Sequence, residues 1–225
     1  MGRVNRDIRR EQLLEAAATV FARKGYHATR IAEIAHAAGV AKGTVYEYFP
    51  TKEELFYALL DSWLGQFERE LLRRLEGIAD PLQRADVVRE AAVLFYRQHA
   101  SHAPIFLEFW AHALRSPDGR FLQRIQQFRH FLAQLGHQLT EELVAHGIFI
   151  PVDVPSLVHL EAGISDGIFL LWVLSGRSFP LERAYVFRQS VLGLGVLSDE
   201  ARQRLREKLA QKLRKGFLEE RSSEE

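Results

Sequence analysis

The segment Thr29–Phe49, TRIAEIAHAAGVAKGTVYEYF, decides how the N-terminal part of this 225-residue chain folds. Its apolar residues Ile31, Ile34 and Ala35 follow the i, i+3, i+4 spacing of one face of a helix. Gly39 follows this short helix, and a glycine at such a position can take the positive φ that reverses the chain sharply. The segment therefore predicts a short amphipathic helix that ends in a tight turn.

A second short helix is predicted to begin near Lys42, with Val45 and Phe49 on its inner face. The outward face then carries cationic, planar and hydrogen-bonding positions, namely Lys42, Gly43, Thr44, Tyr46 and Tyr48. Groups of this kind reach phosphates and base edges when a recognition helix enters the major groove of DNA. An ordinary helical hairpin is the alternative, but it gives no reason for two exposed tyrosines. We therefore interpret residues 30–49 as a DNA-binding helix-turn-helix.

Helices are also predicted on both sides of this pair. The segment Ile8–Lys24 is amphipathic and ends before Gly25. After the pair, the sequence TKEE at residues 51–54 predicts a capping box at the start of a new helix. In that box, the Thr51 hydroxyl and the Glu54 carboxylate bind opposite backbone amides of the first turn.

Together these motifs resemble the N-terminal domain of the tetracycline-repressor (TetR) family of bacterial regulators. The resemblance covers roughly residues 7–67 and is carried by Phe21–Tyr26 (FARKGY), Ile34–Ala35, Ala38–Val40 (AGV), Lys42–Phe49 (KGTVYEYF) and Lys52–Leu55 (KEEL). It implies an all-α chain, with an N-terminal three-helix DNA-binding domain over residues 7–67. A C-terminal helical domain for effector binding and dimerisation is expected over residues 68–225. Ala41 departs from the pattern, because a serine or threonine often caps the recognition helix there.

The expected DNA-binding residues are Thr29, Arg30, Lys42, Gly43, Thr44, Tyr46, Tyr48 and Lys52. Thr29 and Lys52 are expected on phosphates, and Arg30 adds a cation beside Thr29. Residues 1–52 hold nine Lys and Arg against five Asp and Glu, whereas residues 53–225 hold 21 against 24. The N-terminal end is therefore the positive end, as a phosphate-binding surface requires.

Beyond residue 67 the sequence predicts further amphipathic helices and no sheet. Breaks are expected near residues 77–81, 102–104, 116–119, 147–155, 175–180 and 197–198. The apolar run Ile148–Ile150 is too short to build a sheet. An additional amphipathic helix is expected over residues 198–225, where apolar side chains recur every four residues at Leu205, Leu209, Leu213 and Phe217.

The middle of the chain concentrates aromatic residues that can line an apolar effector pocket. The candidates are Phe106, Phe109, Trp110, Phe128, Phe131, Phe169 and Trp172, with Glu108, Arg129, His130 and Asp166 as polar partners. Aromatic residues at helical spacing are more often core, so only a minority is expected to touch a ligand. His99, His102 and His112 invite a metal interpretation, but they lack carboxylates in register and an H-E-x-x-H motif. We therefore expect no metal and no other cofactor.

Two late segments, Val154–Leu174 and Leu181–Leu197, are unusually apolar and must be covered on more than one face. Glycines within them would let another helix backbone come close. By resemblance, the last two helices of the family form a four-helix dimer interface, and the residues expected there are Gly163, Gly167, Leu171 and Gly193. Burial within one chain is the alternative. It explains why the two segments are apolar, but it does not explain their glycines.

Enzymatic chemistry finds no support in the sequence. The stretch GISDG at residues 163–167 imitates a nucleophile elbow, but that elbow requires a preceding strand. The chain has no cysteine, which excludes disulfides and thiolate metal sites. Residues 1–10 are polar and Arg-rich rather than a secretory signal, and the apolar run Ile168–Leu174 is shorter than the roughly 20 residues of a membrane span. We therefore expect a cytoplasmic protein that is not an enzyme.

These observations predict a homodimeric, ligand-responsive transcriptional repressor. Its two recognition helices would bind a pseudo-palindromic double-stranded DNA operator, and a small, largely apolar effector would release it. The alternative is a TetR-like scaffold that binds DNA constitutively, recruits a protein partner and has no small-molecule effector.

Overall fold

The computed structural model describes residues 2–204 and 207, which fold almost entirely into helices. The helices are α1 (Gly2–Lys24), α2 (Ile31–Ala37), α3 (Lys42–Tyr48), α4 (Lys52–Leu75), α5 (Pro81–Gln98), α6 (Ala103–Ala113), α7 (Arg120–Ala145), α8 (Val154–Leu174) and α9 (Leu181–Val196). A 3-10 turn, Ala100–His102, precedes α6. In this described part of the chain, the only strand-like pairing is an isolated antiparallel bridge between Phe149 and Leu197. The predicted all-α fold is confirmed.

The predicted helix-turn-helix and the predicted breaks all lie at or beside observed helix boundaries. Helix α1 begins at Gly2, six residues earlier than expected. One half of the predicted capping box is present, because the Thr51 hydroxyl accepts the Glu54 N–H at 3.0 Å. The other half is wrong, since the Glu54 carboxylate instead accepts a hydrogen bond of 2.6 Å from the Arg120 guanidinium.

The chain divides into two compact units. The first unit comprises residues 1–77 and 86–132, and the second comprises residues 78–85 and 133–225. This division does not follow the predicted boundary between residues 67 and 68. Helix α6 and the first part of α7 pack in the same unit as the helix-turn-helix, because aromatic side chains join them to α4.

Aromatic rings form the centre of the first unit. The Phe56 ring of α4 lies 5.2 Å from the Phe21 ring, 4.4 Å from Tyr26, 4.5 Å from Phe109 and 5.8 Å from Phe121, measured between centroids. These distances are typical of favourable aromatic pairs. A single cluster thus joins α1, α4, α6 and α7.

Polar side chains in this unit are held by specific partners. Arg124 of α7 is 8% exposed and donates to Asp61 at 2.7 Å and to Glu68 at 3.0 Å, which joins α7 to α4.

The His99 ring packs against the Trp63 ring, with their centroids 4.6 Å apart. Burial lowers the pKa of His99 and also that of His102. These two histidines, which invited a metal interpretation, pack against aromatic side chains.

The second unit has its own core on the inner face of α8. Phe169 and Trp172 are buried there, and the Tyr185 hydroxyl of α9 donates to the Ser165 carbonyl at 3.0 Å. A Cβ at Gly136 of α7 would lie 3.3 Å from a methyl group of Val158, so the two helices approach closely at this glycine.

The segment after α9 returns to the end of α7. The Ile150 N–H donates to the Val196 carbonyl at 2.8 Å, and the Ser198 N–H donates to the Ile148 carbonyl at 2.9 Å. The Ser198 hydroxyl also accepts the Ala201 N–H at 3.2 Å, so it caps a helix that continues over residues 199–204. The helix predicted from residue 198 therefore begins as expected. Its apolar positions Leu205, Leu209, Leu213 and Phe217 lie outside the described residues.

Candidate nucleic-acid interface

The turn between α2 and α3 is fixed by Gly39 and by two backbone hydrogen bonds. Gly39 has a φ of +66°, and in the described part of the chain no atom lies within 4 Å of the position that a Cβ would take. Glycine is therefore required by backbone conformation rather than by space. The Val40 N–H donates to the Ala35 carbonyl at 3.0 Å, and the Ala38 N–H donates to the Ile34 carbonyl at 2.9 Å, which closes the end of α2.

Burial separates the two faces of the helix-turn-helix. On the inner face, Ile34 and Val45 are fully buried and Phe49 is 3% exposed. On the outer face, Lys42, Gly43 and Tyr46 are exposed, whereas Thr44 and Tyr48 are half-buried. The Lys42 ammonium lies 5.7 Å from the centroid of the Tyr46 ring. The helix thus presents a cation, a hydroxyl and a phenol side by side to solvent.

Lys52, at the start of α4, is bound to the turn between α1 and α2. Its ammonium donates to the carbonyl oxygens of Tyr26 at 2.7 Å, His27 at 3.2 Å and Thr29 at 3.0 Å. The same nitrogen lies 4.5 Å from the centroid of the Tyr26 ring, within cation–π range. Burial lowers the pKa of Lys52. An ammonium group has three donors, so the expected phosphate contact of Lys52 does not hold in this conformation.

Thr29 also differs from the expected phosphate contact. Its side chain is 2% exposed, and its hydroxyl donates to the Gly25 carbonyl at 2.7 Å. The carbonyl at the end of α1 lacks a partner within the helix, and the Thr29 hydroxyl supplies one. Arg30 is exposed at the start of α2, where its N–H donates to the Glu33 carboxylate at 3.0 Å.

Helix α6 holds the same turn through Glu108. The Tyr26 N–H donates to one oxygen of the Glu108 carboxylate at 2.8 Å. The other oxygen lies 2.8 Å from the position that a Cβ would take at Gly25, whose φ is +80°. A side chain at Gly25 would therefore collide with this carboxylate as well as strain the backbone. Glu108, predicted to be a polar group of an effector pocket, instead binds the turn that leads into the helix-turn-helix.

The first turn of α4 makes two further links. His112 Nε2 lies 3.1 Å from the Glu53 carboxylate, and the Ser116 hydroxyl donates to the same oxygen at 3.4 Å. The Arg120 guanidinium donates to Glu54. These contacts were not predicted, because the partners are 59 to 66 residues apart and no local spacing in the sequence indicates them.

Arginines near the start of α1 lie beside the last turn of α3. The Arg6 guanidinium carbon is 5.7 Å from the centroid of the Tyr48 ring, and that of Arg10 is 5.6 Å from the Phe49 ring. An open groove in this region is lined by Asn5, Arg6, Arg9, Glu47 and Tyr48. These arginines were not among the predicted DNA-binding residues, although the Arg-rich composition of residues 1–10 is visible in the sequence.

The predicted effector residues are divided between the two units. Phe106, Phe109, Trp110, Phe128 and Phe131 belong to the first unit, and Phe169 and Trp172 belong to the second. Phe106, Phe109, Phe169 and Trp172 are each at most 7% exposed, whereas the other three are half-buried. Four of the seven are therefore core residues. Within the described residues, no group of three or more His, Asp or Glu side chains is placed to hold a metal ion.

Helices α8 and α9 expose an extended apolar surface. Its large side chains, each 50–69% exposed, are Leu160, Leu171, Leu174, Val186, Phe187, Val191 and Leu194. At Gly163, Gly167 and Gly193, no atom of the described residues lies within 4 Å of the position that a Cβ would take. Close packing among the described residues therefore does not explain these glycines.

Helix α8 is also long and apolar enough to cross a membrane by length and composition, with a mean hydropathy of 1.6. The apolar run Ile168–Leu174 is only the last part of this helix, which extends back to Val154. The same composition suits a helix that another protein surface covers, so length alone does not assign a membrane.

Two family models match this chain. Residues 13–59 match the bacterial regulatory proteins of the tetR family. Residues 81–194 match the C-terminal domain of the BetI-type transcriptional repressors. The two matches cover both the helix-turn-helix and most of the helices that follow it.

Individual proteins agree with these matches. The HTH-type transcriptional regulator BetI of Yersinia pestis (strain Pestoides F) is 30% identical over 186 residues, which cover 79% of this chain and 87% of that protein. The transcriptional regulator FadR from Bacillus subtilis, solved in complex with stearoyl-CoA, has a TM-score of 0.69 at 24% identity and covers 81% of this chain and 96% of that one. A transcriptional regulator from Saccharomonospora viridis, solved in complex with choline, has a TM-score of 0.68 at 20% identity, covering 84% of this chain and 97% of that one. The chain therefore belongs to the TetR family of bacterial transcriptional regulators, which are DNA-binding proteins and not enzymes.

Proposed function

We propose that this protein is a homodimeric repressor that binds a pseudo-palindromic operator and is released by a largely apolar effector. The observation that carries the proposal is the exposed outer face of α3, which offers DNA a cation, a hydroxyl and a phenol at Lys42, Thr44 and Tyr46. Because such a repressor binds the bacterial chromosome, we expect this protein in the cytoplasm.

Helix α3 has the size and chemistry of a major-groove reader. Seven residues span about 10 Å, and the major groove is about 12 Å wide. Gly43 has no side chain, so the DNA backbone can approach the start of the helix closely. Thr44, Tyr46 and Tyr48 face the base edges in this proposal, and Lys42 and Arg30 bind phosphates.

Lys52 and Thr29 have a positioning role in the proposal. Both bind backbone carbonyls between the end of α1 and the start of α2. They therefore fix the position of the helix-turn-helix relative to α4, and they act on DNA affinity only through that geometry.

The apolar surface of α8 and α9 is proposed to bind a second copy of the chain. Seven large apolar side chains are exposed there, and isolated monomers seldom leave such a surface uncovered. Among the described residues, nothing occupies the space beside Gly163, Gly167 and Gly193, as a close helix contact from a partner requires. Each chain of such a dimer would carry one helix-turn-helix, here called a head. Two heads about 34 Å apart would then bind successive major grooves.

The links at the start of α4 give an effector a route to the DNA-binding helices. Glu53 and Glu54 are bound by residues of α6, α7 and the intervening turn, and Glu108 of α6 binds the turn before α2. An effector that favours another position of α6 would shift these bonds and change how the two heads are spaced. An effector changes the spacing only if it binds one position of α6 more tightly than the other.

Binding assays with stearoyl-CoA and choline can distinguish a ligand-responsive regulator from a constitutive DNA-binding scaffold. FadR of Bacillus subtilis is solved with the first and the Saccharomonospora viridis regulator with the second. We expect stearoyl-CoA, whose acyl chain is apolar, to bind and to release the protein from DNA. At 100 times its Kd, a ligand stabilises the folded state by about 2.7 kcal/mol, which raises Tm by several degrees in a thermal-shift assay. A Tm and an operator affinity that neither compound changes would favour the scaffold.

Substitutions on the outer face of α3 test base reading. Thr44→Ala and Tyr46→Ala should each weaken operator binding by about 1–3 kcal/mol, while affinity for random duplex DNA changes little, because base contacts specify and phosphate contacts do not. Fluorescence anisotropy with both DNAs measures the difference. Equal losses on both DNAs, or no loss on either in a folded protein, would contradict the assignment.

The substitution Lys52→Met tests whether Lys52 positions the helix-turn-helix or binds a DNA phosphate. Three charge-assisted hydrogen bonds are lost, so the free energy of unfolding should fall by about 2 kcal/mol. The slope of log affinity against log salt should stay at its wild-type value for folded protein. Lys24→Met is the matched control, because Lys24 pairs at the surface with Glu33. Unchanged stability with a slope flattened by about 0.9 would instead show a phosphate contact.

Gly167→Arg tests the dimer interface. A bulky cation there would keep the partner helix away, so the variant should sediment as a monomer across a dilution series and bind the operator weakly. Leu114→Arg is the control, because Leu114 is 77% exposed but directly follows α6, outside the apolar surface of α8 and α9. A wild-type protein that is monomeric at micromolar concentration and still binds its operator tightly would exclude the interface.

A further inference from the structure

The groove beside α3 carries positive charge that the helix-turn-helix does not use. Its lining residues are Asn5, Arg6, Arg9, Glu47 and Tyr48. Arg6 is exposed and Arg9 is half-buried. Among the described residues, neither arginine has an acidic partner within ion-pair distance, whereas Arg10 lies 3.5 Å from Glu11. Two guanidinium groups thus face one carboxylate, that of Glu47.

The groove lies at the opposite end of α3 from Lys42. The Arg6 guanidinium packs over Tyr48 in the last turn, and the Lys42 ammonium packs over Tyr46 from the first turn. A helix of seven residues is about 10 Å long, and a major groove about 12 Å wide is bounded by a phosphate strand on each side. Cations beside the first and last turns of α3 can therefore meet opposite strands.

We propose that Arg6 and Arg9 bind DNA phosphates, so that the DNA-binding surface extends from the helix-turn-helix onto the first turns of α1. Lys42 meets one strand that bounds the major groove, and the two arginines meet the other. Guanidinium groups suit this task because they are always charged and bind phosphate oxygens in pairs. The stacking of Arg6 on Tyr48 holds one guanidinium in place before DNA arrives. The inference rests on the DNA-binding function of the protein and does not depend on the effector or the operator sequence.

A salt series on duplex DNA of random sequence tests this inference without a known operator. The full chain and the double variant Arg6→Gln/Arg9→Gln are titrated against a labelled duplex at several salt concentrations. The slope of log affinity against log salt should flatten by about 0.9 for each lost phosphate contact, so by about 1.8 for each bound head. Arg115→Gln is the control, because Arg115 is an exposed arginine after α6. This control should leave the slope unchanged.

Two further variants separate charge from packing. Arg6→Lys/Arg9→Lys keeps both cations and should retain a slope close to that of the wild type, even if the glutamine variant proves less stable. Glu47→Gln removes the carboxylate from the groove and should raise the affinity for random duplex DNA.

A glutamine double variant that folds and keeps the wild-type slope would overturn the inference. So would lysine and glutamine variants with equally flattened slopes, since that result would place the effect in packing. A wild-type protein with no salt-dependent binding to any duplex would instead defeat the DNA-binding function itself.

Discussion

The DNA-reading end of the molecule depends on one ammonium group. Lys52 donates to three carbonyl oxygens between Tyr26 and Thr29, just after α1 ends. These carbonyls belong to the loop between α1 and α2, close to the negative end of the α1 dipole, so a cation there is favourable. The same lysine begins α4. One side chain therefore joins the end of α1, the approach to α2 and the start of α4.

This junction explains why the helix-turn-helix and α6 lie in one compact unit. Glu108 of α6 accepts the Tyr26 N–H, and His112 of the same helix contacts Glu53 of α4. The rings of Phe56 in α4 and Phe109 in α6 also pack together, with their centroids 4.5 Å apart. A displacement of α6 would disturb polar bonds to the turn before α2 and to the first turn of α4 at once. In the function proposed above, a movement of α6 would therefore be transmitted through these bonds to the DNA-binding pair.

The sequence predicted those features that depend on neighbours in the chain. Gly39 and Val45 follow from the geometry of a tight turn and from helical spacing, and the helix breaks follow from clusters of glycine, proline and serine. The roles of Thr29 and Lys52 could not be predicted this way, because their partners are backbone carbonyls of a turn. Glu54 shows the same limit: its carboxylate was expected to cap its own helix, but Arg120, 66 residues away, binds it. Contacts between distant segments leave no local pattern.

In the function proposed above, two α3 helices, one from each chain of a dimer, read the same DNA molecule. Binding sites can be selected from a random duplex pool with the full-length protein, and the enriched DNA can then be footprinted. We expect two half-sites related by a two-fold axis, with centres about 34 Å apart or a whole multiple of that spacing. Enrichment of a single half-site, of a direct repeat, or of no sequence at all would exclude such a dimer.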